Sequence, residues 1–170
     1  KPADVPEFGR KIHVEASRMI QLVNDILQLS HLDSVSETHA QPDMETVDLL
    51  DVAKDCVERQ KLNAQRSFIS LTYLGESARV LGNRDQLDEL CQNLCDNAIR
   101  YNRPGGKVQL ITSCTRDGHC TLTVKDNGIG IPKDAQSSVF ERFYRVDKSR
   151  SKATGGTGLG LAIVKHIARI

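Results

Sequence analysis

Polar side chains on one predicted helix, residues 85–101, are of the types that bind metal ions and phosphates. Asn93 and Asn97 lie one turn apart on its polar face, with Glu89 one turn before them and Arg100 close behind. Asparagine is a mediocre helix former beside lysine or glutamate, so two of them on one face favour a functional role. Amide oxygens one turn apart can ligate a hard cation, and an arginine beside them can contact a phosphate. An ordinary amphipathic surface helix is the alternative interpretation.

Two glycine-rich segments follow this helix. Residues 126–131 come directly after a predicted strand, and the Asp126 carboxylate could accept a hydrogen bond from an exocyclic amine, while Gly128 and Gly130 allow a close backbone approach. Residues 155–161 lead into the last predicted helix, where free N–H groups suit a phosphate. A simple glycine turn and a flexible hinge are the alternatives. Neither G-x-x-x-x-G-K-[ST] nor G-x-G-x-x-G occurs, which disfavours the P-loop and Rossmann folds.

A long irregular segment, residues 132–158, joins the two glycine-rich segments. It carries clustered aromatic residues, which are Phe140, Phe143 and Tyr144. It also carries closely spaced basic residues, which are Arg142, Arg145, Lys148, Arg150 and Lys152. A loop of this length and composition is typical of a functional lid, with the aromatics anchoring its base by burial. A solvated run of charges is the alternative.

The elements that position these motifs alternate between strands and helices. We predict strands over 45–49, 68–74, 79–81, 107–115 and 120–125, and helices over 50–64, 85–101 and 159–169. Asp48 is a candidate N-cap of the first of these helices, and Asp117-Gly118 is a candidate hairpin turn. Mixed elements in this order predict an α+β sandwich, with a helical layer on one face of a sheet.

A long helix is predicted before these elements, over residues 5–33, followed by a polar linker over 34–43. Its apolar residues form a heptad seam, which consists of Ile12, Ala16, Met19, Val23 and Ile26, widened by Ile20 and Leu27. Such a seam favours packing in a helix bundle or dimer, and docking on its own domain is the alternative. We place a domain boundary near residue 36.

Composition narrows the possible partners. Lys plus Arg is 23 and Asp plus Glu is 22, so the net charge of +1 gives no support for binding nucleic acid or an anionic membrane. No stretch approaches the roughly 20 apolar residues of a membrane span. The five cysteines are predicted to be reduced thiols that pack as small hydrophobes, because their spacing does not favour a zinc site.

Four motifs, in order and at matching spacing, resemble those of the bacterial sensor histidine kinases. Residues 93–101 resemble the N box, 126–131 the G1 box, 140–145 the F box and 156–161 the G2 box of the Bergerat (GHKL) ATP-binding domain. The resemblance implies an α+β Bergerat-type sandwich, preceded by one helix of a dimerisation hairpin. It divides the chain into residues 1–35, part of that hairpin, and 36–170, a catalytic domain shortened at its C-terminus.

The resemblance also implies Mg²⁺ and ATP as cofactors. Asn97, supported by Asn93, matches the magnesium ligand, and Asp126 matches the aspartate that accepts the adenine amino hydrogen. The other positions that match ATP-binding residues are Arg100, Tyr101, Gly128, Gly130, Ile131, Gly156, Thr157, Gly158, Leu159 and Gly160. Candidate catalytic positions are Glu89, one turn before Asn93, and the lid residues Arg145 and Arg150 near the γ-phosphate.

The chain departs from the family pattern in its histidines. Kinases of this family phosphorylate a histidine followed by Glu-x-x-x-Pro, and none of the five histidines here has that context; they are His13, His31, His39, His119 and His166. The resemblance therefore predicts that the phospho-acceptor lies outside this chain. It implies homodimerisation through the hairpin, relay to the aspartate of a response regulator, and a cytoplasmic location as part of a membrane-anchored sensor. An ATP-binding module without kinase activity and another GHKL ATPase are the alternatives, and the F box and heptad helix argue against the latter.

Overall fold

The computed structural model describes residues 5–38, 43–146 and 156–168. Its helices are α1 (Val5–Thr38), α2 (Leu49–Arg66), α3 (Arg84–Arg100) and α4 (Gly160–Ile167). Its strands are β1 (Glu45–Asp48), β2 (Ser70–Gly75), β3 (Arg79–Gly82), β4 (Lys107–Cys114) and β5 (Cys120–Asp126). The predicted order of strands and helices is confirmed, with boundaries that differ by one or two residues at most ends.

The strands form two small sheets. β1 pairs antiparallel with β3, and the larger sheet has the order β2-β4-β5. In that sheet β2 runs parallel to β4, whereas β4 and β5 form an antiparallel hairpin. The parallel pair needs a long connection, which passes through β3 and α3. The predicted α+β class with a mixed sheet is confirmed.

Side-chain caps set the starts of the two central helices. The Asp48 carboxylate accepts a hydrogen bond from Leu50 N (2.9 Å), which confirms the predicted N-cap of α2. The same Oδ1 atom accepts from Ala78 N (3.0 Å), so this cap also ties α2 to the segment before β3. Asn83 caps α3 by accepting from Gln86 N (3.0 Å), and this places the start of α3 one residue before the predicted one.

The core lies between the larger sheet and the helices α2 and α3. Val108 and Leu110 of β4 are fully buried against Val52 of α2 and against Cys91 and Cys95 of α3. The sheet therefore holds the apolar face of α3. Because the apolar face is buried, the opposite face of α3, which carries the asparagines, is directed away from the sheet.

The cysteines fall into two groups. Cys56, Cys91 and Cys95 are free and buried, as predicted for thiols that pack as small hydrophobes. Cys114 and Cys120 form a disulfide, so the prediction that all five are reduced is wrong for this pair. They occupy opposite positions at the end of the β4–β5 hairpin, and this register brings them together.

Helix α1 is longer than predicted and has two apolar faces. It continues to Thr38, through residues predicted to be linker, because the segment is polar but contains no glycine or proline before Pro42. The predicted boundary near residue 36 thus falls in its last turn, and the division into two domains stays a prediction. The heptad seam is exposed, whereas Leu29, on another face, is buried against α4. No helix among the described residues is long and apolar enough to span a membrane.

Candidate functional site

The polar face of α3 is organised around Asn93. Its amide Nδ2 donates to the backbone carbonyl of Glu89 (3.1 Å), which leaves the amide oxygen to face α4. A Cβ built on Gly160 would lie 2.8 Å from that oxygen, so only glycine fits here without a shift. Two turns further along α3, Arg100 donates to Asp96 (2.6 Å), which holds the guanidinium at the end of the helix.

The segment 126–131 is attached to the end of α3 at Tyr101. Gly128 N donates to the Asp126 carboxylate (2.8 Å), and Ile129 N donates to the Tyr101 carbonyl (3.0 Å). A Cβ on Gly128 would overlap that carbonyl oxygen, so the close approach requires glycine. The predicted base-binding residues Asp126 and Tyr101 are therefore brought to one place.

The glycine loop, residues 156–160, lies against the same face of α3. A Cβ on Gly156 would lie 3.2 Å from Nη1 of Arg100 and 3.3 Å from the Tyr101 hydroxyl. Gly158 has φ +79°, a conformation that favours glycine, and its carbonyl accepts from Phe143 N (3.0 Å). The base of the predicted lid thus joins the glycine loop through the backbone.

We expected the aromatic residues of the lid to anchor it by burial, but two of them are exposed. Phe140 and Phe143 are 40% and 59% exposed. Phe143 has φ +63°, and the connection to the glycine loop runs through its N–H rather than through its ring. The prediction of buried aromatic anchors is therefore wrong for these two residues.

Two side chains at the site hold buried polar atoms that lack a hydrogen-bond partner among the described residues. They are Nε and Nη2 of Arg145, and Oε1 of Glu89. Buried polar atoms are nearly always paired, so the two Arg145 donors indicate an acceptor, such as an anion, that binds beside them. Arg145 follows the segment in contact with Gly158, where a phosphate would supply acceptors. This arrangement fits a nucleotide.

A magnesium ion also fits the available donors. Magnesium in phosphate-binding sites usually takes one or two protein oxygens and keeps waters and phosphate oxygens for the rest. The amide oxygen of Asn93 is directed to the glycine loop, and Asn97 follows it by one turn on the half-buried part of α3. No group of three or more His, Cys, Asp or Glu side chains within the described ranges could hold a metal by itself.

The other predicted site residues are less closely gathered. Ile131 is 47% exposed, and its carbonyl accepts from the Gln136 side chain (3.1 Å). Gly130 has φ +72° and no atom within 4 Å of a built Cβ, so it serves the turn rather than a close approach. Arg150 lies outside the described residues.

Sequence analysis missed one residue of this site, Asp25 of α1. Its carboxylate accepts a hydrogen bond from the Thr157 hydroxyl (2.6 Å) of the glycine loop. Asp25 is only 7% exposed and lies on the same face of α1 as Leu22 and Leu29, three residues before and four after. That spacing is the signal that could have revealed it, because it marks a second face beside the heptad seam.

Burial raises the pKa of Glu89 to about 7, from an ordinary value of 4.5; the Asp25 carboxylate contributes to the rise, and a hydrogen bond with Gln28 opposes it. Since the folded chain holds this proton more tightly than the unfolded chain, folding stability falls as the pH rises from about 4.5 to about 7. At pH values above that window, the loss of folding stability stays constant.

We therefore expect Glu89→Gln to stabilise the chain at pH 8 by about 1 kcal/mol, after allowance for screening by solvent. Urea unfolding at pH 4.5 and pH 8 would measure the free energy of unfolding, and the difference between the two chains should shrink at the lower pH. Glu58→Gln, which neutralises an exposed carboxylate on α2, serves as the control. If the effect of Glu89→Gln on the free energy of unfolding does not change with pH, the raised pKa of Glu89 is contradicted.

A comparison with models of known protein families identifies the family of this chain. The family described as histidine kinase-, DNA gyrase B-, and HSP90-like ATPases matches residues 82–170, from the last residue of β3 to beyond α4. The chain belongs to this ATPase family. The Bergerat-type fold expected from the resemblance is thereby confirmed, and the four motifs all fall within the matched residues.

Relatives of this chain include sensor histidine kinases. The sensor-like histidine kinase SenX3 of Mycolicibacterium smegmatis is 43% identical over 168 residues, which cover 98% of this chain and 43% of SenX3. Solved structures include the mycobacterial sensor histidine kinase MprB, with 34% identity and a TM-score of 0.63 over 74% of this chain and 78% of that one. Full-length ShkA in complex with AMPPNP has 26% identity and a TM-score of 0.75, over 91% of this chain and 32% of ShkA. The chain thus corresponds to the ATP-binding catalytic region of the sensor histidine kinases.

Proposed function

We propose that this chain binds Mg-ATP and directs the γ-phosphoryl group to a histidine on the dimerisation hairpin of the intact kinase. The observation that carries the proposal is that the buried Nε and Nη2 atoms of Arg145 have no hydrogen-bond partner among the described residues. Arg145 directly follows the segment that contacts Gly158, in the glycine loop that packs on the asparagine face of α3. Such donors recognise an anion, and a glycine loop at a helix N-terminus is suited to phosphates.

Each part of the site has a role in this proposal. Asp126 accepts from the adenine amino group, and Tyr101 packs beside the base. Asn93 and Asn97 hold the magnesium ion, which neutralises charge on the phosphates when bound. Other contacts to the nucleotide come from Arg100, Gly128, Gly130, Ile131, Gly156, Thr157, Gly158, Leu159 and Gly160.

Phosphoryl transfer depends more on alignment and charge neutralisation than on covalent help from the protein. Arg145, and Arg150 from the lid, stabilise the charge that develops on the γ-phosphoryl oxygens. Glu89 has a pKa of about 7, so it can accept or release a proton near neutral pH, and we propose a catalytic role for it. The attacking imidazole comes from the hairpin, not from a histidine of this chain.

The chain spans 43% of the length of SenX3, so the activity and partners of the whole protein are part of the proposal. We propose a homodimer through the exposed seam of α1, transfer from the phosphohistidine to a response-regulator aspartate, and a cytoplasmic position. The exposed side chains of Met19, Ile20 and Val23 on α1 support such a helix interface.

The test is incubation of the chain with γ-labelled ATP and magnesium, with and without a separately supplied acceptor hairpin. We expect no acid-labile, base-stable label on the chain alone, and label on the hairpin when both are present. A hairpin whose acceptor histidine is replaced by alanine serves as the control. Acid-labile label on the chain alone would contradict the assignment of the acceptor, and ATP binding without any transfer would leave an ATP-binding module that is not a kinase.

A further inference from the structure

Helix α1 packs on the glycine loop and α4 through one of its two apolar faces. Leu29 is 4% exposed and forms an apolar cluster with Leu159, Ile163 and Ile167. Leu22 of α1 and Leu90 of α3 pack around this cluster. The interface is thus apolar where α1 meets the start of α4, next to the residues that would bind phosphate.

A buried carboxylate lies in the middle of this apolar interface. Asp25 is 7% exposed, and its oxygens accept from the Gln21 amide (2.7 Å) and from the Thr157 hydroxyl (2.6 Å). Burying a carboxylate costs free energy unless donors satisfy it, and Thr157 is a donor that only the glycine loop supplies. The bond therefore forms only while α1 is docked on the loop.

The hydrogen bond of Asp25 acts on the conformation of the loop. The Thr157 oxygen that donates to Asp25 also accepts from Leu159 N (3.3 Å), at the start of α4. The neighbouring loop residues Gly156 and Gly160 lie close to Arg100 and Asn93. Asp25 thus helps to hold the loop directly against the side chains that are proposed to bind the triphosphate.

The negative charge of Asp25 also opposes binding of a triphosphate. The Asp25 carboxylate is close enough to Glu89 to interact with it electrostatically, so two acidic side chains meet beside the loop. A triphosphate bound by the loop would be repelled by the Asp25 carboxylate, and by Glu89 whenever it is ionised, and the repulsion is strongest where water is excluded. Undocking of α1 would remove Asp25 from this position.

We propose that Asp25 is a positioning residue that acts through Thr157 to hold the glycine loop against α3, so that docking of α1 opposes binding of the triphosphate. The inference rests on the proposed function, because it concerns regulation of the same nucleotide site. Such coupling is reciprocal: the nucleotide must weaken the docking of α1 by the factor by which docking weakens the nucleotide.

The test compares four forms of the 170-residue chain: unchanged, Asp25→Ala, Asp25→Asn and Glu15→Gln. Glu15→Gln is the matched control, since it removes a negative charge from α1 at an exposed position next to Arg18. We expect Asp25→Ala to tighten Mg-ATP binding by about fivefold or more, as in typical coupled equilibria, and the control to leave it unchanged. Asp25→Asn removes the charge but keeps an oxygen that can accept from Thr157, so it should tighten binding by less. In a Thr157→Val background, the effect of Asp25→Ala should be smaller than in the unchanged chain, because only the electrostatic repulsion then remains to be removed.

Hydrogen exchange supplies a readout that does not need nucleotide binding. Without ATP, Asp25→Ala should speed exchange at the amide of Leu159, and saturating Mg-ATP should speed exchange around Leu29 in the unchanged chain. Unchanged exchange in Asp25→Ala, or ATP affinity that is equal or weaker, would overturn the inference. Absence of ATP binding by all four forms would instead overturn the proposed function, while the exchange data would still report on the contact between Asp25 and Thr157.

Discussion

Replacing Asp126 by alanine is expected to lower the affinity for ATP about 100-fold. Two effects add together at this position. The carboxylate is proposed to accept from the adenine amino group, and its Oδ1 atom also holds Gly128 N at 2.8 Å. A hydrogen bond to a charged group contributes about 1.5–3 kcal/mol, and the loop beside Tyr101 loses its turn as well. Calorimetric titration with ATP in the presence of magnesium would measure the change.

Asp126→Asn separates the two effects. Asparagine keeps an oxygen that can accept from Gly128 N, so the loop should retain its conformation. Its amide nitrogen, however, places a donor opposite the adenine amino group, which is also a donor. We expect ATP affinity to fall nearly as far as in Asp126→Ala, with little change in thermal stability. If both variants bind ATP like the unchanged chain, the base does not contact Asp126 and the site assignment is wrong.

The second large effect is expected from Asn97→Ala. This substitution removes the proposed magnesium ligand from a position one turn after Asn93 on the half-buried face of α3. We expect phosphoryl transfer to a supplied hairpin to fall about 1000-fold, because loss of a group that stabilises transition-state charge has effects of this order. Binding of ATP without magnesium should change much less than binding of Mg-ATP.

Gln92→Ala is the matched control for Asn97→Ala. Gln92 carries the same kind of side-chain amide on the same helix, but it is exposed. Alanine at this position should leave ATP binding and transfer intact, and it should favour the helix slightly. Equal loss of binding with and without magnesium in Asn97→Ala would argue against a metal ligand and for a contact with the nucleotide itself.

Much of the catalytic region could be predicted because its signals are local. The Asp48 cap, the polar face of α3 and the glycine segments each depend on residues within a few positions of one another, and the structure has the Asp48 cap as predicted. The hairpin also contained a signal that we did not use. A turn at Asp117-Gly118 places Cys114 opposite Cys120, which are joined in the structure.

The contact of α1 with the glycine loop could not be predicted in this way. Asp25 and Thr157 are separated by 132 positions in the chain. The heptad pattern identifies the apolar positions on α1, but it does not indicate which element of the fold covers each face of the helix. The end of α1 was misjudged for a related reason: polar residues near Thr38 looked like a linker, but polarity alone does not stop a helix.

The glycine loop follows the strands, α2 and α3 in the chain, and this order has a consequence for protein synthesis. A ribosome makes the sheet, α2 and α3 before it makes residues 156–160, which pack on α3 from outside. The apolar contacts of Val108 and Leu110 must therefore stabilise the nascent domain early in folding, without help from a ligand. Nucleotide bound at the proposed site can add its mass-action stabilisation only after Gly160 has emerged.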